Sequence, residues 1–206
     1  MAILKNIILD LGGVLLDIDY YKTEKAFIAL GFTQFKEMYN QYQSDVVFSQ
    51  LEKGTISNDD FYNYLIKVAE GSISREQIDN AWNAMLLNFR EESLSFLTQL
   101  NEKYKVYLLS NTNAIHLHAF SHIFKKQTGK KSLDDFFTKA YYSHYVGLRK
   151  PDEDIFEFVL NDAGILAEES LFIDDSFNNI NTAKNMGFVT HLLLPGEKIE
   201  GLPYFV

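Results

Sequence analysis

Short apolar runs alternate along the chain with longer segments of helical periodicity. The runs are almost continuously apolar, which is typical of strands buried on both faces of a parallel sheet. We predict five strands, over residues 3–9, 105–109, 139–143, 171–173 and 188–193. We predict helices over residues 91–103, 113–127, 151–164 and 177–187. This alternation indicates an α/β fold built on a parallel sheet.

Residues 16–90 interrupt the alternation, because they show helical patterns and no convincing strand. Two of these helices have clear starts: Ser57 and Ser74 are each followed, three residues later, by a side chain suited to a capping box. A helical stretch of this length is too long for a simple crossover between two strands. We therefore divide the chain into a discontinuous α/β core, residues 1–15 and 91–206, and an α-helical insertion, residues 16–90.

Composition and charge exclude several classes of protein. The chain has 206 residues, no cysteine, and a net charge of −9 from 28 acidic and 19 basic side chains. The lack of cysteine excludes disulfides, thiolate-bound zinc and a thiol nucleophile. The acidic balance disfavours nucleic acid and anionic membranes as partners. Because no signal peptide or membrane span is recognisable, we expect a soluble cytoplasmic protein of undetermined oligomeric state.

Polar side chains follow several of the predicted strands. Asp10 and Ser110 each come directly after an apolar run, Lys150 follows the third strand, and Asp174 and Asp175 follow the fourth. Ligands of open α/β sheets bind beyond the carboxyl ends of the strands, so we expect these side chains to meet at one edge. Carboxylates hold Mg²⁺ or act as nucleophiles, and a lysine neutralises phosphate charge. The set favours phosphoryl chemistry.

These residues lie in four motifs that resemble, in order, those of the haloacid dehalogenase (HAD)-like hydrolase superfamily. The motifs are Asp10-Leu11-Gly12-Gly13-Val14, Ser110-Asn111-Thr112, Lys150-Pro151 and Asp174-Asp175-Ser176-Phe177-Asn178-Asn179. The resemblance covers essentially the whole chain and implies a Rossmann-like core, with the helical insertion matching the C1 cap. The chain is most similar to the bacterial α-D-glucose-1-phosphate phosphatase group, through Ser110-Asn111-Thr112-Asn113, Glu52-Lys53-Gly54 and Asp17-Ile18-Asp19.

The resemblance implies a Mg²⁺-dependent phosphatase that acts on a small phosphorylated metabolite, such as a sugar phosphate, through an aspartyl-phosphate. The implied catalytic residues are Asp10 as nucleophile, Ser110 and Lys150. The implied metal ligands are Asp10, the Gly12 carbonyl, Asp174 and Asp175. The implied phosphate-binding groups are Ser110, Lys150, His116 and the backbone N–H groups of Gly12, Gly13 and Asn111. For His116, packing at the start of its helix is an equal alternative.

Gly12 departs from the pattern, because family phosphatases usually carry an acid/base aspartate at this position. Another group supplies the proton, or the leaving group needs little protonation, or the protein binds phosphorylated ligands with little or no turnover. The candidate proton donors are Asp17, Asp19, His116 and Glu52.

Two other reactions of the superfamily are less favoured. A 2-haloacid dehalogenase generally works without Mg²⁺, and the retained Asp174 and Asp175 argue against it. A phosphonatase would use a cap lysine as a Schiff base, for which Lys53 is the obvious residue, but a solvated lysine is the simpler interpretation.

Overall fold

The computed structural model describes residues 3–39, 45–69 and 71–205. The strands of these residues are β1 (Asn6–Leu9), β2 (Leu16–Ile18), β3 (Leu86–Phe89), β4 (Lys105–Ser110), β5 (Lys139–Tyr142), β6 (Ser170–Asp174) and β7 (Val189–Leu192). Five of them form one parallel sheet in the order β5-β4-β1-β6-β7, and β2 pairs with β3 in an antiparallel ribbon. The predicted α/β fold with a Rossmann-like parallel sheet is confirmed.

The α-helices of the described residues are α1 (Tyr20–Ala29), α2 (Phe35–Met38), α3 (Val46–Glu52), α4 (Asn58–Val68), α5 (Arg75–Asn83), α6 (Glu91–Leu100), α7 (Ala114–Thr128), α8 (Ser143–Val146), α9 (Glu153–Ala163) and α10 (Phe177–Asn185). Both predicted capping boxes are present, at Ser57 with Asp60 and at Ser74 with Gln77. None of the helices in the described part of the chain is long and apolar enough to cross a membrane.

The central strands are buried on both faces, which explains their almost continuous apolar runs. In β1, Ile7 and Leu9 belong to one apolar cluster, which α6 and α7 help to form. Ile8, between them, belongs to a second cluster, which includes residues of α9 and α10. Successive side chains of a strand point to opposite faces, so one short strand contributes to both clusters.

A third apolar cluster holds the helices α1–α5 together around the buried indole of Trp82. The rings of Phe27, Phe48 and Phe61 lie within 6.4 Å of Trp82, measured between ring centroids. This cluster gives the helical segment an apolar core of its own, to which Ile115 of α7 also contributes. The division into a core and a cap at residues 16–90 stays our interpretation.

The expectation that residues 16–90 contain no strand is wrong. β2 and β3 lie at the two ends of this segment, with Leu16 paired to Phe89 and Ile18 paired to Leu86. Each strand is three or four residues long, too short for a recognisable alternating pattern. The ribbon brings the entry and exit of the helical segment together.

Candidate active site

A cavity lies at the carboxyl edge of the parallel sheet, where the strand-terminal residues meet the helical segment. Asp10 follows β1, and Ser110 is the last residue of β4. Residues that end or follow the strands and line the cavity include Asp10, Gly12, Ser110, Asn111, Lys150 and Asp175. Those of the helical segment include Tyr20, Tyr39 and Glu52. The convergence predicted from the strand ends is therefore observed.

Three carboxylates form a compact cluster at this edge. Asp10, Asp174 and Asp175 each offer an oxygen, and these oxygens lie within 4.8 Å of one another. Burial, and then the charges of the neighbouring aspartates, outweigh Lys150 and raise the pKa of Asp10 to about 7. Burial and Asp174 raise the pKa of Asp175 to about 6. Buried carboxylates that repel one another favour a bound divalent cation, so the donor set fits Mg²⁺.

Lys150 occupies the centre of the cluster and is 1% exposed. Its Nζ donates to Asp10 Oδ1 at 2.6 Å, to Asp174 Oδ2 at 2.6 Å and to the Leu109 carbonyl at 2.8 Å. Burial lowers the pKa of Lys150, but the two carboxylates outweigh it and raise the pKa. An ammonium has three protons, and all three are engaged. In this structure Lys150 orients the aspartates, and contact with a phosphoryl group requires it to exchange one partner.

Asp174 is held by neighbours from its own motif. Asn179 Nδ2 lies 3.0 Å from both carboxylate oxygens of Asp174, and the Ser176 N–H donates to Oδ1 at 2.7 Å. Asp174 is fully buried and does not line the cavity, whereas Asp175 does. This arrangement fits direct metal contact by Asp175 and an indirect contribution by Asp174.

Asn111 has a structural function that the sequence did not reveal. Its Nδ2 donates to the Lys150 carbonyl at 2.8 Å, and its Oδ1 accepts the Lys150 N–H at 2.9 Å. The side chain thus fixes the backbone of the lysine, while the backbone N–H of Asn111 stays the predicted phosphate donor. Ser110, beside it, is buried and lines the cavity.

The two glycines of the first motif differ in their surroundings. Gly12 lines the cavity, and the metal contact of its carbonyl stays a prediction. Gly13 does not line it, and its N–H donates to the Leu16 carbonyl at 2.8 Å. The expected contact between the Gly13 N–H and phosphate is therefore not what the structure shows. The turn that leads into β2 uses this N–H instead.

His116 is buried against Trp82. The two rings stack with centroids 4.5 Å apart, and Nε2 lies 3.2 Å from the Trp82 carbonyl oxygen. Burial lowers the pKa of His116 to about 4, so the ring is neutral at pH 7. The ring lines the cavity, but it brings no positive charge to a phosphate there. Packing at the helix start, one of the two alternatives from the sequence, is the role that the contacts support.

Of the four candidate proton donors, only Glu52 and His116 line the cavity. Asp17 pairs with Arg90 Nε at 2.7 Å, and Asp19 caps α1 by accepting the Tyr21 N–H. Glu52 is buried, with Arg149 Nη2 2.8 Å from its Oε2 and the Tyr39 hydroxyl 3.3 Å from its Oε1. Lys53 pairs with Asp152 at 3.0 Å and does not line the cavity.

Comparison with known proteins finds relatives that are phosphatases and HAD family enzymes. The chain is 35% identical over 188 residues to a D-ribitol-5-phosphate phosphatase from Bacteroides thetaiotaomicron, covering 91% of this chain and 90% of that protein. It resembles the crystal structure of a HAD family enzyme from the same organism, in complex with magnesium and inorganic phosphate, with a TM-score of 0.85 and 37% identity. That match covers 95% of this chain and 97% of the other.

A predicted HAD-like family hydrolase from Porphyromonas gingivalis is similar to the same extent. It has a TM-score of 0.86 and 34% identity, and the match covers 95% of this chain and 94% of that one. The family model for haloacid dehalogenase-like hydrolases matches residues 4–187. The family expected from the four motifs is thereby confirmed: the chain belongs to the haloacid dehalogenase-like hydrolases.

Proposed function

We propose that the protein is a Mg²⁺-dependent phosphomonoesterase that acts on a small phosphorylated metabolite of the sugar or sugar alcohol class. The observation that carries the proposal is the buried cluster in which Lys150 joins Asp10 to Asp174, beside Asp175 and Ser110. The similarity to a ribitol-5-phosphate phosphatase and to a magnesium- and phosphate-bound enzyme supports it.

In this proposal Asp10 is the nucleophile. Its carboxylate forms a bond to phosphorus, and the bond from phosphorus to the leaving-group oxygen breaks, which gives an aspartyl-phosphate. Water then attacks this intermediate and releases inorganic phosphate and free Asp10. Lys150 holds the Asp10 carboxylate in place, and the Ser110 hydroxyl is positioned at the cavity wall to donate to a phosphoryl oxygen.

Asp10, Asp175 and the Gly12 carbonyl are the proposed direct Mg²⁺ ligands, and Asp174 acts indirectly. The bound cation supplies positive charge where the substrate phosphate must approach a cluster of carboxylates. Gly12 and Asn111 also line the cavity, and their backbone N–H groups are the proposed donors to the substrate phosphate.

Gly12 brings no proton to the leaving group, so a second candidate function has a specific basis. A protein that binds phosphorylated ligands and turns them over slowly would have the same metal cluster. Acid catalysis of this kind contributes about 10²–10⁴-fold, so its absence is a large effect unless Glu52, His116 or an undemanding leaving group compensates.

We further propose that residues 16–90 act as a cap that closes over the cavity and selects the substrate. Tyr20, Tyr39 and Glu52 of this segment line the cavity together with core residues. A cytoplasmic location and the absence of nucleic-acid binding stay predictions from composition.

The test is phosphate release from a panel of phosphomonoesters, with Mg²⁺ and with EDTA, by the wild-type protein and by Asp10→Asn. The proposal expects release that requires Mg²⁺ and is abolished by the substitution. Stabilisation by sugar phosphates without turnover would identify the binding protein instead. Near-normal turnover by Asp10→Asn would refute the mechanism, and chloride release from 2-haloacids in EDTA would identify a dehalogenase.

A further inference from the structure

An ion pair between Glu52 and Arg149 forms part of the cavity wall, outside the aspartate cluster. Glu52 is the last residue of α3, and Arg149 directly precedes Lys150. Both side chains line the cavity, and Arg149 Nη2 lies 2.8 Å from Glu52 Oε2. The Glu52 side chain is 6% exposed and that of Arg149 is 23% exposed, so the carboxylate is buried and the guanidinium side chain is partly buried.

The polar atoms of this pair are mostly engaged within the protein. Oε1 of Glu52 accepts from the Tyr39 hydroxyl at 3.3 Å. Glu52 Oε2 lies 2.8 Å from Arg149 Nη2 and pairs with that cation, whereas the buried Arg149 Nε has no hydrogen-bond partner among the described residues. Buried polar atoms are nearly always paired in folded proteins. The wall therefore presents a charge pair that is already neutralised, which suits a ligand with hydroxyl groups, because these donate and accept hydrogen bonds without carrying charge.

The same pair makes the wall unfavourable for a second anionic group. The guanidinium of Arg149 is already neutralised by Glu52, so an incoming carboxylate or phosphate would have to compete with Glu52 for this cation. Tyr20 also lines the cavity, and burial and then the charges of Asp175, Asp10 and Glu52 raise the pKa of its hydroxyl. A second anionic group in the cavity therefore meets a cation that is already paired at this wall, and the carboxylates of Asp10 and Asp175 elsewhere in the lining.

We propose that Glu52 is a specificity-determining residue, which together with Arg149 selects phosphomonoesters whose distal end carries neutral hydroxyl groups and rejects those with a second anionic group. The inference rests on the proposed phosphatase function and names the substrate class of that same site. Rejection arises because Glu52 already occupies Arg149, and because buried carboxylates repel a further anion.

The experiment compares two substrates with one carbon skeleton, ribitol 5-phosphate and 5-phosphoribonate, in which a terminal CH₂OH is replaced by a carboxylate. The wild-type protein is expected to prefer the neutral compound in kcat/KM. Glu52→Gln releases Arg149 for the carboxylate, and we expect the preference to fall by roughly tenfold to hundredfold, the strength of a hydrogen bond to a charged group. Arg149→Met removes the cation and leaves Glu52, so the preference should rise.

Lys53→Gln is the matched control, because Lys53 is the next residue and pairs with Asp152 outside the cavity. It should leave the preference unchanged. An equal fall in kcat/KM for both substrates in Glu52→Gln would overturn the inference. A fall in kcat that is absent with p-nitrophenyl phosphate as substrate would also overturn it, because that result identifies Glu52 as the acid that protonates the leaving group. Failure of the wild-type protein to release phosphate from any ester would refute the phosphatase function itself, a separate result.

Discussion

Gly13 and the carboxylate of Asp175 are packed so closely that no side chain fits between them. A Cβ built on Gly13 would lie 2.3 Å from Asp175 Oδ2 and 2.6 Å from its Cγ. The backbone φ of Gly13 is +72°, a conformation that favours glycine. The first motif therefore determines where the proposed metal ligand of the last motif can lie.

Substitution of Gly13 by alanine should weaken Mg²⁺ binding by displacing Asp175. Gly129→Ala is the control, because Gly129 has nearly the same φ, +70°, with no atom within 4 Å of its Cβ position. Both variants bear the backbone cost of a left-handed alanine, about 1–2 kcal/mol. Only Gly13→Ala should also lose the Mg²⁺-dependent increase in Tm. If both variants keep that increase, the close packing of Gly13 against Asp175 does not affect Mg²⁺ binding.

Removal of Lys150 should be far more destabilising than removal of an exposed lysine. Lys150→Met leaves Asp10 and Asp174 buried without their counter-charge, and breaking a buried pair in this way costs roughly 3–5 kcal/mol. Lys53→Met breaks the exposed pair with Asp152 and should cost at most about 1 kcal/mol. Urea unfolding at pH 8 in EDTA measures both. Similar free energies of unfolding for the two variants would contradict the central position of Lys150.

The sequence predicted the sheet and the strand-end residues because these depend on local patterns. A strand buried on both faces must be apolar throughout, and its end must present the polar residues of the site. Asp10 and Asp174 were therefore recognisable before their contact with Lys150 was known. The capping box at Ser57 is equally local.

The features that the sequence did not predict depend on contacts between distant segments. β2 and β3 are stabilised by pairing Leu16 with Phe89, which no short window contains. The use of the Gly13 N–H in a turn depends on the path of the chain into β2. The pair of Glu52 with Arg149 forms only when the helical segment lies against the core.

Restoring an aspartate at position 12 should be unfavourable in this protein. A Cβ on Gly12 would lie 3.1 Å from Ile18 Cγ1 and 4.0 Å from Asp10 Oδ2. Gly12→Asp therefore adds crowding and a fourth carboxylate to the cluster, and we expect a lower Tm in EDTA than for Gly12→Ala. Inserting atoms into a packed site lowers the free energy of unfolding by roughly 1–3 kcal/mol.

Ile18→Ala should rescue part of this loss, because it removes the atoms that the new Cβ would meet. A double-mutant cycle with Gly12→Asp and Ile18→Ala measures the coupling. Additive effects on Tm would show that Ile18 does not restrict position 12.

In the absence of metal, stability should fall as pH rises from about 4 to about 7. Burial and mutual repulsion raise the folded-state pKa of Asp10 to about 7 and of Asp175 to about 6, from the ordinary 3.8. Below pH 3.8 these carboxyl groups are protonated in both the folded and the unfolded state. Between pH 3.8 and the folded-state pKa they ionise in the unfolded chain but not in the folded protein, which favours unfolding. The stability that the protonated groups contribute to the folded state is therefore lost as the pH rises to the folded-state pKa. His116, whose pKa is lowered to about 4, acts in the opposite direction.

The measurement is Tm against pH in EDTA and in saturating Mg²⁺. Bound Mg²⁺ favours the ionised carboxylates, so the stabilisation by Mg²⁺ should grow from pH 4 to pH 7. The contribution of His116 is common to both curves and cancels in their difference. Asp10→Asn removes one of the raised carboxyl groups and should flatten the EDTA curve relative to the wild-type protein. A Mg²⁺ stabilisation that is constant over this range would contradict the carboxylate cluster as the metal site.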